Sequence, residues 1–338
     1  MKDISTAFDL LHLLIAAQKK TFDSNCVCTT DEIIERLSVQ PDQVLQYVDE
    51  LRDMGYNIAA SHDTGYRLID TDFALMPHTI LSHLDTRVIG RTIKYFSTIP
   101  STSWHARELA EQHDESLHGM MVIAREQTGG MGRLGRVWSS PKGGIWATLI
   151  LKPSLPVDKM FMLTLVGSVA IAKVIRKKYK IGGLIKWPND IMIGDKKVGG
   201  LLVEVNAHEG KLDYCLLGFG IDVNVPLENI DPQIRSRVTS ISDELGYVVD
   251  PAKLLTACLK EFEIRYEQIE DGEHDSVLRE WKAMSATLGR RVQVNKLSSS
   301  FEGEAIDVDK DGTLIVRKDN GTIERVIAGD VFPVEDAS

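Results

Sequence analysis

Cysteine is scarce in this chain. Four cysteines in 338 residues, Cys26, Cys28, Cys215 and Cys258, are too few and too scattered for a disulfide framework. Cys26-Val-Cys28 has one intervening residue, not the two usual in a redox or zinc pair. No apolar run reaches membrane-spanning length without charges. The first twenty residues carry an apolar patch at helical spacing, but no basic stretch leads into a small-residue cleavage site. A signal peptide is therefore not expected, and the expected compartment is the cytoplasm, with no membrane partner. Positive charge is also in deficit. The chain has 39 Lys and Arg against 49 Asp and Glu, net −10, which argues against broad non-specific binding to nucleic acid or anionic lipid. The nine histidines show no metal-ligand spacing, so the sequence assigns no metal site. Repeats and low-complexity tracts are absent.

What is present divides into three units, read as 1–70, 79–287 and 288–338. In the first, Phe8, Leu10, Leu11, Leu13, Leu14 and Ile15 predict a helix. Thr30 or Asp31 caps a second helix, Glu32–Leu37. Pro41 opens a third, Pro41–Met54, which Gly55 ends. Two strands, Tyr56–Ala60 and Tyr66–Ile69, are expected on either side of His62-Asp63-Thr64-Gly65. Helix, short turn, helix and hairpin make the layout of a winged helix-turn-helix. Gln40, Gln43 and Gln46 on the third helix are candidates to read base edges. However, residues 1–70 hold six basic against twelve acidic residues, and phosphate neutralisation supplies most non-specific affinity for DNA. Sequence-specific DNA binding and a packing or protein-interaction role both stay open.

Pro77 is read as a linker. Beyond it strands and longer helices alternate. Ile89–Phe96 predicts a strand, Ser101-Thr102-Ser103 ends a hydroxyl-rich turn before a helix Trp104–His113, and Met120–Glu126 is a strand that enters Gln127–Trp138, QTGGMGRLGRVW. Ile145–Pro153 leaves that loop as a strand, and Val157–Tyr179 is a long helix, apolar on most faces. A hairpin follows over Leu184–Val205, then a glycine-bearing strand within Leu212–Val225. Helices Pro251–Ile269 and Asp275–Thr287 precede short strands with Asp-Gly and Asn-Gly turns, read as an SH3-like barrel. The fold class is α+β, with a central mixed sheet.

The glycine-rich loop carries the first chemical signal. Gly129, Gly130, Gly132 and Gly135 let the backbone come close to a ligand, free N–H groups can line an anion nest, and Arg133 and Arg136 add forks that match phosphate or carboxylate oxygens. It is not a P-loop, which needs G-x-x-x-x-G-K-[ST]. Gly130-x-Gly132-x-x-Gly135 matches the dinucleotide fingerprint by letter, yet it leads into a strand where that fold needs a helix. Lys186 and Lys197 add charge, Asp190 a carboxylate, Ser101 and Thr102 hydroxyls, Gln127 an amide, and Trp138 a flat aromatic face. Such a set suits bringing two anions together, as when a carboxylate is joined to the α-phosphate of ATP.

GMGRLGRVW, KWPNDIMIGDKKVGGLLVE and GFGIDVN resemble the three signature segments of the biotin protein ligases, whose usual forms run close to GRGR-x-GR-x-W, KWPND…KxxGIL-E and GxGxNxN. The resemblance covers nearly the whole chain and is nearest the bifunctional branch, in which a winged helix-turn-helix precedes the ligase and represses biotin synthesis genes. It implies a class II synthetase-like ligase domain. The implied substrates are biotin and MgATP, which form biotinyl-5′-AMP, followed by transfer to a lysine of a biotin carboxyl carrier protein. It implies that Ser101, Thr102, Ser103 and Gln127 border biotin, with Met131, Gly132, Arg133, Lys197 and Gly200. Arg133, Arg136, Trp138, Lys186, Asn189 and Asp222 would serve ATP, with Trp138 against adenine. Lys197, Arg133 and Asp190 would be the catalytic set, Lys197 bridging carboxylate and phosphate, Asp190 accepting the incoming lysine's proton. Operator DNA and a second copy of the chain are further implied partners.

Three positions depart from the pattern. Met131 replaces the loop's first arginine, Asp222 stands where asparagine is usual, and Ser103 where asparagine or another polar residue is often found. Two rival readings are a lipoate or octanoate ligase and a non-catalytic biotin-sensing regulator.

Overall fold

The structure, a computed structural model, describes residues 4–20, 27–61, 65–69, 74–112, 114–296 and 299–334. The turn expected at His62-Asp63-Thr64, together with Cys26 and His113, lies outside the described residues. The fold is α+β.

The N-terminal unit comprises α1 (Ile4–Lys20), β1 (Cys28–Thr29), α2 (Thr30–Leu37), α3 (Pro41–Asp53), β2 (Ile58–Ser61) and β3 (Gly65–Leu68). Ala7, Leu10, Leu11 and Leu14 of α1 are buried against Ile33, Val44, Val48 and Leu51 of the next two helices. Thr29 caps α2 in a reciprocal box with Glu32, so a residue one position earlier than expected supplies the cap. The strands form a small sheet in the order β1-β3-β2. This unit docks on its neighbour through backbone. Tyr95 donates its N–H to the Met54 carbonyl at 3.2 Å, and Lys94 reaches the Asp53 carbonyl.

Residues read as a linker from Pro77 are instead a helix, α4 (Pro77–His83), with Pro77 at its first turn, where the missing N–H costs nothing. Tyr56 ties it to the N-terminal unit, its hydroxyl 2.8 Å from His78 Nδ1. The strand expected from Ile89 begins only at Ile93, as β4 (Ile93–Phe96). The reason is local: Glu263, a buried carboxylate, accepts the N–H groups of Arg87, Val88 and Ile89 at 2.7–2.9 Å and withholds them from a ladder.

Next come α5 (Thr102–Ala110), β5 (Met121–Ala124), β6 (Ile145–Leu151), α6 (Met162–Tyr179), β7 (Gly183–Lys186), β8 (Asp190–Ile193), β9 (Lys196–His208) and β10 (Lys211–Ile221). The seven strands form one mixed sheet in the order β4-β5-β6-β10-β9-β8-β7, with β4 and β5 parallel and the other pairs antiparallel. The expected helix from Val157 starts later, at Met162, after a single turn at Val157–Lys159. Its apolar faces are buried nearly all round, as expected for a helix inside a large core. It lies on one face of the sheet with α8 (Pro251–Glu270) and α9 (His274–Ala283), which follow the short α7 (Ile241–Leu245). The opposite face carries α5 and the glycine-rich loop, and the functional cleft opens there.

The C-terminal unit is a five-stranded antiparallel SH3-like sheet of β11 (Arg291–Asn295), β12 (Ser300–Val308), β13 (Leu314–Arg317), β14 (Ile323–Val326) and β15 (Asp330–Pro333), ordered β14-β13-β12-β11-β15. Gly312 takes φ +79° at the expected Asp-Gly turn, packs on the Phe161 ring and gives its carbonyl to Trp187 Nε1 at 2.9 Å. This bond fastens the KWPND segment to the C-terminal unit.

Candidate active site

The cleft has a hydroxyl-lined end and a cationic end. At the hydroxyl end Ser101 is the N-cap of α5, so Thr102 and Ser103 occupy its first turn, where backbone N–H groups are unpaired within the helix. Thr102 donates both N–H and Oγ1–H toward Gln127 Oε1, at 2.8 and 3.0 Å. Gln127 Nε2 donates to Ser140 Oγ at 2.8 Å, which fixes the amide's orientation. Thr148 on β6 lies 2.9 Å from Thr102 Oγ1 and 3.1 Å from Ser103 Oγ. All five hydroxyl residues are buried. A linked network in a dry setting can read a small polar head group with fixed donors and acceptors.

The glycine-rich loop is an ordered hairpin across the cleft. Trp138 N–H donates to Gly130 O at 2.9 Å and Gly132 N–H to Arg136 O at 2.8 Å. Leu134 at φ 58° and Gly135 at φ 72° make the tight reversal. Gly130 has no room for a side chain: a Cβ there would stand 2.5 Å from Ser140 Oγ and Trp138 O. Met131 pairs with Val137 across the hairpin through backbone.

Trp138 folds inward. Its indole lies on Gly200 of β9 and Gly220 of β10, where added Cβ atoms would come within 3.2 and 2.6 Å of the ring. Those two glycines are the floor between the two ends of the cleft. Lys197 Nζ sits 4.7 Å from the Trp138 ring centroid and 2.5 Å from Asp190 Oδ1. One ammonium thus has a carboxylate on one side and an aromatic face on the other.

Four cations gather at or near the far end. Arg133 reaches Asn189 Oδ1 at 3.4 Å and the Gly329 carbonyl at 3.5 Å. Arg136 grips Asp330 with both terminal nitrogens, Nη1 to Oδ1 at 3.1 Å. Lys186 Nζ lies 5.0 Å over the Phe332 ring. Burial is the largest influence on Lys186 and lowers its pKa, and Lys197 adds to the lowering while Asp190 and Asp330 oppose it. Asn189 donates Nδ2 to Leu201 O at 2.5 Å, which fixes the segment between Lys186 and Asp190.

The structure therefore brings together Ser101, Thr102, Ser103, Gln127, Met131, Gly132, Arg133, Arg136, Trp138, Lys186, Asn189, Asp190, Lys197 and Gly200 around one cleft. Asp222 stands apart: it is not a lining residue, is 6% exposed, and has its pKa pushed up to about 8, by burial first, with Lys197 opposing. Its residue sits just past the end of β10, where its N–H is bound to Val198 O. Burial favours its neutral carboxyl, a near-isostere of asparagine. Gln40, Gln43 and Gln46 lie on or beside α3. Gln43 Oε1 accepts the Gln40 N–H at 2.8 Å, and Gln46 donates to Glu50 at 2.9 Å. The exposed face of α3 also shows Asp42, Leu45 and Asp49.

Sequence reasoning missed Thr148, Ser140, Asp330 and Phe332. Thr148 had a signal, a lone hydroxyl inside the apolar run Ile145–Leu151. Asp330 and Phe332 had none, because only the long-range docking of β15 brings them to the cleft. Among the described residues no three His, Cys, Asp or Glu side chains gather as a metal site, and no helix is long and apolar enough to cross a membrane.

The model of the Biotin/lipoate A/B protein ligase family matches residues 95–222, and that of the biotin protein ligase C terminal domain matches residues 287–332. The bifunctional ligase/repressor BirA of Bacillus subtilis (strain 168) is 33% identical over 301 residues, covering 89% of this chain and 92% of that protein. The protein of the same name from Escherichia coli (strain K12) is 25% identical over 332 residues, 98% of each. Among solved structures, biotin protein ligase from Aquifex aeolicus in complex with biotin and ATP is similar in fold, with a TM-score of 0.63 at 24% identity over 73% of this chain and 100% of that one. The matched segments contain the cleft's two ends and the strand that closes it, and the chain belongs to the biotin protein ligase family, as an enzyme of that family.

Proposed function

We propose that the enzyme activates biotin with ATP and transfers it to a lysine of the carrier protein of acetyl-CoA carboxylase. The observation that carries this reading is the position of Lys197, held by Asp190 and Trp138 between a buried hydroxyl network and a cluster of three further cations. In the first step a biotin carboxylate oxygen attacks the α-phosphorus of ATP. A C–O–P anhydride forms, the bond to the β-phosphate breaks, and pyrophosphate leaves. Thr102, Ser103, Gln127 and Thr148 hold the ring system, and Lys197 offsets repulsion between carboxylate and phosphate. Arg133, Arg136 and Lys186 hold phosphate oxygens, and Trp138, on its glycine seat, lies against adenine. In the second step a carrier lysine's amine attacks the acyl carbon, AMP departs, and Asp190 accepts the proton. Mg²⁺ would enter with ATP as part of the substrate and offset charge on the triphosphate.

The units in this reading are a winged helix-turn-helix, 1–70, a catalytic unit, 79–287, and an SH3-like unit, 288–338. A second activity, biotin-responsive binding of operator DNA by a homodimer in the cytoplasm, is favoured by the helices α2 and α3 with the paired strands that follow them and by relatives whose names join ligase with repressor. The test of the first reading is biotin-dependent isotope exchange between pyrophosphate and ATP, run with lipoate as competitor. Exchange supported by lipoate rather than biotin would favour a lipoate-type ligase. Biotin binding without exchange would favour a sensing regulator.

A further inference from the structure

We infer that Asp330, on the C-terminal unit, is a positioning residue that orients Arg136 for the nucleotide's phosphates. The inference rests on the adenylate-forming reading above. The tip of the glycine-rich hairpin, from Leu134 to Val137, stands exposed, with Val137 88% accessible. Its two arginines reach past the sheet to consecutive residues at the start of β15: Arg133 to the Gly329 carbonyl, Arg136 to both carboxylate oxygens of Asp330. Two residues on, the Phe332 ring lies under Lys186. One edge strand thus supplies a carbonyl, a carboxylate and an aromatic face to three cations of the cleft. The strand is itself fixed, with Asp330 opposite Asn295 of β11, and Gly329 pressed so close to the Asn295 carbonyl that a Cβ would stand 2.8 Å from it.

A guanidinium has five N–H donors in one plane. Asp330 engages the two terminal nitrogens and so fixes that plane, while Nε–H and the outward hydrogens remain available to a phosphate. Without the carboxylate, Arg136 is a long side chain on an exposed turn, and binding must itself supply the cost of ordering it. Asp330 therefore acts on nucleotide binding through Arg136, not on the reacting atoms.

The experiment compares the parent with Asp330→Asn, Arg136→Gln and the double variant. The readouts are the KM for ATP and kcat of biotin-dependent exchange, and equilibrium binding of MgATP by calorimetry. The expected result is a KM and a dissociation constant raised about tenfold in Asp330→Asn, with kcat within about twofold and biotin affinity unchanged. The double variant is expected to be no worse than Arg136→Gln, since one interaction is removed twice. Asp330→Asn binding MgATP as tightly as the parent, or more tightly, overturns the inference, and so do effects that add in the double variant. A parent that binds MgATP yet catalyses no biotin-dependent exchange overturns the functional reading instead, and the calorimetric comparison still decides the role of Asp330.

Discussion

Lys197 Nζ and Asp190 Oδ1 stand 2.5 Å apart, on neighbouring strands β9 and β8, with the Trp138 indole against the same ammonium. In the proposed reaction this cation lies where a carboxylate and a phosphate meet. Lys197→Ala is expected to reduce adenylate formation by roughly 10²–10³, the scale of removing one preorganised donor. Biotin-dependent pyrophosphate exchange measures it. Exchange near the parent rate would show that Lys197 does not bridge the two anions.

The glycine seat under Trp138 gives a second expectation. Gly220→Ala places a methyl 2.6 Å from the indole nitrogen and must displace the ring. Exchange activity is expected to fall by at least about tenfold with the thermal transition largely kept, since the ring can swing into an open cleft. Tryptophan fluorescence and exchange kinetics are read together. An unchanged spectrum with unchanged kinetics would mean that the ring does not rest there.

Thr148 bonds two hydroxyls of the cleft, so Thr148→Val keeps shape but takes that partner from Ser103, while Thr102 keeps its bond to Gln127. The cost of leaving buried polar groups unpaired is about 1–3 kcal/mol. A rise of about 10- to 100-fold in the biotin dissociation constant is expected, with ATP affinity unchanged. Calorimetric titration with each ligand separately distinguishes this from general destabilisation, which would weaken both.

Asp222 makes stability depend on pH in an unusual direction. Its folded pKa is about 8, raised by burial, against an ordinary carboxylate value near 4. Between those values the folded chain holds a proton that the unfolded chain has released. Stability therefore falls as pH rises through that window, by at most about 1.4 kcal/mol per unit, and levels off above it. Asp222→Asn removes the dependence. Its thermal transition is expected to exceed the parent's at pH 8 and to match it at pH 4.5. Equal transitions for the two proteins at both pH values would contradict a buried neutral carboxyl.

For the N-terminal unit, a gel shift on a palindromic site is expected with biotin and MgATP present. Its salt dependence should be shallow, because few basic residues face the phosphates. No shift even at low salt would remove the repressor activity and leave the ligase untouched.

Much of the cleft was legible because its parts are short, local segments. The hydroxyl turn, the glycine-arginine loop and KWPND with Lys197 each fix their own backbone, and the sheet order then brings them together. Helix α6 was readable from its all-round apolarity, and the C-terminal turns from Asp-Gly and Asn-Gly. What escaped depends on distance. Asp330 lies 194 residues from Arg136, and no local pattern marks that pairing. Glu263 stops a strand more than 170 residues away by taking its N–H groups. Pro77, read as a break, begins a helix because the first turn tolerates it. The burial of Asp222, which raises its pKa, is likewise invisible in sequence, which shows the residue type alone.

The most direct test of the central claim is mass spectrometry of an acetyl-CoA carboxylase carrier domain after incubation with the purified protein, biotin and MgATP. The account predicts one added biotin on one carrier lysine, lost when ATP is omitted or Lys197 is replaced by alanine. A carrier that stays unmodified, or that is modified by lipoate in place of biotin, would contradict it.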